Sequence, residues 1–160
     1  MNKNIQIVDL IETQVSLEQL AAWHHAEWEH LNPGKTLEMR LEEMQEYLEG
    51  KPVPRTLVAK DGVQVMGSAA IIESDMETKP ELSPWLASVF VEPSFRKRGI
   101  GSSLVKQVMN YAREIGVKTL YLYTEHEASF YEKLGWQVIA KEDYRQQEVT
   151  VMKADLLQNQ

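Results

Sequence analysis

The stretch Glu92-Pro93-Ser94-Phe95-Arg96-Lys97-Arg98-Gly99-Ile100-Gly101-Ser102-Ser103-Leu104 places three basic side chains directly before two glycines spaced G-x-G. Ahead of it, Trp85 to Val91 (WLASVFV) is a nearly continuous apolar run, typical of a strand buried on both faces. Behind it, Leu104, Val105, Val108, Tyr111, Ala112 and Ile115 recur along one stripe at helical spacing, up to a stop at Gly116. The stretch is therefore a turn from a buried strand into an amphipathic helix. A helix start presents unbonded N–H groups and the positive end of the macrodipole. Glycines there let an anion approach the backbone, because no Cβ intervenes. Neighbouring basic side chains add charge-assisted hydrogen bonds. The spacing is neither G-x-x-x-x-G-K-[ST] nor G-x-G-x-x-G, since position 104 is leucine. On this stretch alone two readings stay open: a cradle for a small phosphate group such as a pyrophosphate, or a helix start with a solvated basic corner.

Outward from this turn, the pattern predicts a mixed α/β sheet. Asn4 to Asp9 alternates as a short strand. Ser16, with Gln19 three residues on, reads as a capping box for a helix that Asn32-Pro33-Gly34 breaks. Thr36 caps a second helix that stops at Gly50 and Pro52. Thr56 to Lys60 and Gln64 to Glu73 form a hairpin around Asp61-Gly62, and Ser74 to Pro84 is a loop. After the long helix come a strand (Thr119 to Thr124), a short helix (Ala128 to Leu134) and two closing strands (Trp136 to Ala140, Val149 to Lys153). No repeat or linker divides the chain, so residues 1–160 are expected to form one domain.

Composition narrows the function classes. The chain has no cysteine, which excludes disulfides, thiolate metal sites and a cysteine nucleophile and fits a cytoplasmic location. No apolar run approaches the roughly 20 residues that span a bilayer, and the N-terminus lacks a signal-peptide pattern, so no membrane association is expected. A net charge of -7 argues against nucleic-acid binding, which needs a basic surface. An acidic body favours a cationic partner, although solubility alone accounts for it. The basic cluster is thus a local exception, suited to a small anion rather than a long polyanion.

The run Val91-Glu92-Pro93-Ser94-Phe95-Arg96-Lys97-Arg98-Gly99-Ile100-Gly101 resembles the V-x-P-x-x-R-x-x-G-x-G acetyl-CoA signature of the GNAT N-acetyltransferase superfamily. Downstream, Ala128-Ser129-Phe130-Tyr131-Glu132-Lys133-Leu134-Gly135-Trp136 resembles that family's A-x-x-F-Y-x-K-x-G-F segment, with tryptophan for the usual phenylalanine and one residue fewer before Phe130. The order of elements from Pro54 to Leu156 also matches. The resemblance implies a GNAT fold: a mixed, mostly antiparallel sheet of six to seven strands, about four flanking helices and a splayed central strand pair. It implies acetyl-CoA as co-substrate, no metal, and acetyl transfer to a primary amine by direct attack in a ternary complex. The alternative is a non-catalytic sensor that binds acetyl-CoA.

Residue by residue, the resemblance assigns the backbone of Val89, Phe90 and Val91 to the pantetheine arm. It assigns the amides of Lys97, Arg98, Gly99, Ile100, Gly101 and Ser102 to the pyrophosphate, with Arg96 opening the motif. Tyr131 matches the general acid for the leaving thiolate, since a tyrosine is protonated at neutral pH. Phe130 and Leu134, four apart, are expected to be the packed face, with Tyr131 pointing elsewhere. Many relatives carry a carboxylate base on the strand before the turn, but WLASVFV has none. Asp75 is therefore a candidate for binding the substrate ammonium or taking its proton through a water, while Glu73 reads as a loop charge. Trp28 and Trp85 are candidates for an aromatic acceptor pocket through cation–π attraction, and Trp23 for the core. His24, Glu27 and His30 drift around one helix without metal-ligand spacing. His126 reads as a solvated loop residue. Glu42, Glu43, Glu46 and Glu49 read as the wet face of the second helix. The expected partner is a small-molecule or peptide amine, and the expected state a monomer or homodimer.

Overall fold

A computed structural model describes residues 4–13 and 17–156. Among these, seven strands form one sheet: β1 (Gln6–Asp9), β2 (Arg55–Asp61), β3 (Gln64–Ile72), β4 (Trp85–Val91), β5 (Thr119–Thr124), β6 (Gln137–Tyr144) and β7 (Gln147–Asp155). Four α-helices accompany them: α1 (Leu17–Trp28), α2 (Leu37–Met44), α3 (Ile100–Glu114) and α4 (Ala128–Glu132). The spatial order is β1-β2-β3-β4-β5-β7-β6, antiparallel throughout except between β4 and β5. This is the mixed, mostly antiparallel architecture expected for the fold.

The sheet is covered on both faces. On one, α3 buries Ile100, Leu104, Val105, Val108, Met109 and Ala112 against Ala69, Ile71 and Leu86. Ile115, expected on that stripe, is instead 37% exposed, because the helix ends at Glu114. On the other face, Leu20 and Ala21 of α1 and Met44 of α2 pack with Val58, Val65 and Ala70. The Thr36 hydroxyl caps α2 by accepting from the Met39 amide at 3.1 Å. The Ser16 cap predicted for α1 lies outside the described residues.

The closing hairpin is longer than the pattern suggested. β6 and β7 run on to meet at Arg145 and Gln146, which turn the chain with φ of 50° and 71°. Two consecutive left-handed residues match the twist of the flanking strands, but no glycine or asparagine marks the site. β6 is an edge strand, and its charged Lys141-Glu142-Asp143 suits an exposed edge.

Two irregularities around β4 shape the site. First, β4 pairs with β5 only at Trp85↔Tyr121, where the Tyr121 amide also donates to the Pro84 carbonyl at 3.1 Å. Past that point the two parallel strands separate, leaving a wedge. Second, β4 is bulged against β3. Ser68 pairs with Phe90 and Ala70 with Ala87, so Ser88 and Val89 together face the single residue Ala69. Ser88 takes φ 55°. The extra residue reverses the in–out alternation of the strand. Leu86, Val89 and Val91 all lie on the α3 side, whereas Phe90 faces Trp23, His24 and Trp28 of α1.

Candidate active site

The turn after β4 leads through two left-handed residues into α3. Pro93–Phe95 make one 3₁₀ turn, and then Lys97 and Gly99 adopt φ of 66° and 80°. Alternating left-handed residues point successive amides to one side. Gly99 caps α3 with its backbone alone, with no side-chain capping bond. At Gly101 a Cβ would sit 3.6 Å from Val91 Cγ2 and 3.7 Å from Phe130 Cζ. Glycine thus keeps open the gap between the end of β4 and α4, and the turn fits a pyrophosphate. Arg96 bonds its own strand: Nε donates to the Val91 carbonyl at 2.7 Å and the guanidinium lies 5.6 Å from the centre of the Phe90 ring. Lys97 and Arg98 are exposed at the turn, with Arg98 over Phe95.

The wedge opens into a cleft of about 620 Å³. Ala87, Ser88 and Val89 of β4, Leu122 to Thr124 of β5, Tyr131 of α4, Trp28 and Asp75 all line it. Tyr131 is 7% exposed and is more buried than Phe130 or Leu134, reversing the expected packing of that short helix. Its ring meets Phe130 and Trp136 edge-on. Burial drives its hydroxyl pKa well above the ordinary tyrosine value, so the group stays protonated.

Nine carboxylates and three cations (Lys35, Arg40, Arg145) line the cleft, a net of -6 against -7 for the whole chain. The acidity is therefore concentrated at this site rather than spread for solubility. Glu43 and Glu46, expected on a wet helix face, belong to the lining; Glu43 pairs with Lys35 and Arg40. Glu125 bonds His30 at 2.7 Å, and Glu77 bonds Arg145 at 3.0 Å. Among the described residues, Glu27, Glu73, Asp75 and Glu127 form no ion pair. Asp75 lies deepest of these. Burial pushes its carboxyl up to about 6, against the pull of Arg40 and Arg145.

Of the two tryptophans expected in an acceptor pocket, Trp28 lines the cleft, half-buried beside His24 and Phe90. Trp85 does not. It is 0% exposed, donates from Nε1 to the Leu82 carbonyl at 2.7 Å, and packs with Met76, Tyr144 and Val149 under the 74–84 loop. That assignment is corrected: Trp85 sits on β4 before the bulge and is itself the residue paired with Tyr121 of β5, at the closed end of the wedge. His126 is exposed at the cleft rim, and Glu73 is exposed likewise.

Sequence reading missed a buried chain of hydrogen bonds behind β4. Arg40 Nη2 lies 2.8 Å from His24 Nδ1, His24 Nε2 lies 2.8 Å from Ser68 Oγ, and Ser68 Oγ donates to the Ser88 carbonyl at 2.9 Å. Arg40 Nη2 also donates to Ser88 Oγ at 3.2 Å. Arginine has no acceptor, so the direction is fixed throughout. Arg40 donates to Nδ1; His24 carries its proton on Nε2 and donates to Ser68. Burial, aided by Arg40, lowers the His24 pKa to about 3, so the ring is neutral. Among the described residues, no group of three His, Asp or Glu side chains gathers as metal ligands would, and no helix is long and apolar enough to cross a membrane.

The split sheet, the glycine turn at its open end and the buried Tyr131 in the cleft form the site. Residues 17–136 match the family model for the acetyltransferase (GNAT) family, and the chain belongs to that family. Among curated proteins, it is 25% identical over 126 residues to the aminoglycoside N(6')-acetyltransferase type 1 of Salmonella enteritidis, covering 75% of this chain and 87% of that protein. It is 29% identical over 93 residues to the amino-acid acetyltransferase of Pseudomonas syringae pv. syringae; the match takes in 58% of this chain but only 20% of that protein. Among solved structures, an aminoglycoside 6'-N-acetyltransferase complexed with coenzyme A superposes with a TM-score of 0.76 at 19% identity, covering 97% of this chain and 99% of that one. An acetyltransferase from Streptococcus agalactiae 2603 superposes at 0.70 and 18% identity, covering 96% and 99%. At these identities the structural likeness speaks for the fold alone.

Proposed function

We propose that this chain transfers an acetyl group from acetyl-CoA to a small, cationic primary amine, both substrates being bound together. The observation that carries the reading is the wedge between β4 and β5: the amide cradle lies at its outer end and Tyr131 and the acidic cleft at its inner end.

In this reading the amides of Lys97 to Ser102 hold the pyrophosphate, and the pantetheine arm pairs with the free edge of Val89, Phe90 and Val91 as an added strand. The thioester then faces the cleft. The amine approaches past Trp28, whose ring face attracts its charge, and its ammonium proton passes to Asp75 through a water. A carboxyl raised to about 6 is a better acceptor at neutral pH than an ordinary one. The neutral nitrogen attacks the thioester carbonyl, the C–N bond forms, the C–S bond breaks, and the thiolate takes the proton of Tyr131; the second nitrogen proton, lost as the amide forms, returns through water to the Tyr131 phenolate. Holding both reactants in one cleft supplies much of the rate, since effective molarities of ~10⁵ M are attainable for well-oriented groups.

The acidic lining supports an acceptor with more than one positive charge, which is also the character of the aminoglycosides named for two of the similar proteins. The test is CoA release from acetyl-CoA across a panel of monoamines, diamines, amino sugars and amino acids. Polycationic acceptors are expected to give the highest kcat/KM, with KM rising as salt screens the cleft. Turnover with no amine, despite tight acetyl-CoA binding, would instead support a sensor.

A further inference from the structure

The Arg40–His24–Ser68–Ser88 chain is an expensive way to pack two helices on a sheet. It places an imidazole at 3% exposure beside a guanidinium, and Arg40 Nε is buried with no hydrogen-bond partner among the described residues. Apolar side chains of the same volume would join α1 and α2 to β3 without those desolvation costs. They would not hold Ser88, a non-glycine residue at φ 55°, in a left-handed conformation that L side chains rarely adopt. Two of the polar groups of Ser88 are claimed by the chain: its carbonyl accepts from Ser68 and its hydroxyl from Arg40. Ser88 is the residue that reverses the alternation of β4. Without it, Val89 and Val91 would turn to the α1 side and Phe90 into the α3 core, and the strand edge facing the wedge would present different backbone groups.

We propose that Arg40 and His24 are positioning residues that, through Ser68, lock the Ser88 bulge and thereby set the backbone of Val89 to Val91 at the register required by the pantetheine arm. The proposal rests on the acetyl-CoA reading given above. It assigns the chain a specific task, separable from the pyrophosphate cradle: the cradle begins at Lys97, beyond the end of β4 at Val91.

The test compares two ligands by calorimetry: acetyl-CoA, and 3′-phosphoadenosine 5′-diphosphate, which keeps the pyrophosphate but lacks the pantetheine arm. Ser68→Ala and His24→Leu are expected to weaken acetyl-CoA about 10-fold or more, the effect of losing about one buried hydrogen bond. The fragment should bind both variants as it binds the wild type. His24→Gln, which can accept from Arg40 and donate to Ser68, is expected to restore most of the acetyl-CoA affinity. A parallel loss of both ligands, or no loss of either, overturns the proposal. If the wild type binds neither ligand, the acetyl-CoA reading itself falls. If His24→Leu fails to fold, Ser68→Ala carries the comparison. Independently, ¹⁵N spectra should show His24 as the neutral Nε2–H tautomer over about pH 5 to 8; an Nδ1–H tautomer or an imidazolium would contradict the wiring.

Discussion

Gly67 of β3 packs so closely on Phe90 of β4 that a Cβ at Gly67 would lie 2.5 Å from the Phe90 carbonyl oxygen and 3.3 Å from Val91 Cα. Backbone, not a flexible side chain, forms this contact. It sits one residue from the Ser68↔Phe90 pair that follows the bulge. The close approach of β3 and β4 here and the Ser88 bulge beside it act together to aim the free edge of β4 into the wedge.

Gly67→Ala is therefore expected to force the two strands apart. A destabilisation of about 3 kcal/mol follows from overpacking against rigid backbone, a fall in Tm of roughly 10 °C for a chain of this size. Thermal unfolding followed by circular dichroism measures it. A Tm within a degree of wild type would show that the strands can part freely.

Gly101→Ala separates fold from function in the opposite sense. The added Cβ meets only ordinary contacts at 3.6 and 3.7 Å. Replacing glycine by alanine inside a helix gains about 0.5–1 kcal/mol. The same methyl group fills part of the gap proposed for the pyrophosphate. The variant is expected to melt slightly higher and to bind acetyl-CoA several-fold more weakly, measured by calorimetry. Stronger or unchanged binding would remove the cradle from the account.

Asp75 supplies a prediction with a definite sign. Its carboxyl is raised from 3.8 to about 6, so between these values the folded protein holds a proton that the unfolded chain has lost. Its contribution to stability therefore falls as pH rises through about 4 to 6, by about 3 kcal/mol at most. Asp75→Asn is expected to raise the Tm at pH 7 and leave it unchanged near pH 3. If Asp75 also takes the ammonium proton, the variant loses the acid limb of the pH–rate profile near 6. An unaltered limb would assign the proton to another group.

The parts of this protein that depend on local pattern were legible in the sequence. The apolar run Trp85 to Val91, the glycines at 99 and 101 and the stripe from Leu104 to Ala112 together specify strand, turn and helix, and the downstream Phe130-Tyr131 places the family. The parts that depend on long-range geometry were not. Trp85 and Trp28 are equivalent as letters, and only the fold sets Trp85 against Tyr121 at the closed end of the wedge and Trp28 in the cleft. His24 looked like one more polar residue on a drifting helix face, because its partners lie 16 and 44 residues away. The bulge at Ser88 has no glycine to announce it. Glu43 of α2 and Glu46 of the 3₁₀ turn that follows join the cleft only because this segment packs back on the sheet.

The central claim is that this cleft performs acetyl transfer with Tyr131 as the proton donor, and Tyr131→Phe tests it most directly. The ring stays packed against Phe130 and Trp136 while the hydroxyl is lost. CoA release with the best acceptor should fall about 10²- to 10⁴-fold in kcat, the usual contribution of a general acid, with acetyl-CoA affinity by calorimetry within twofold of wild type. Turnover equal to wild type in Tyr131→Phe would contradict the account.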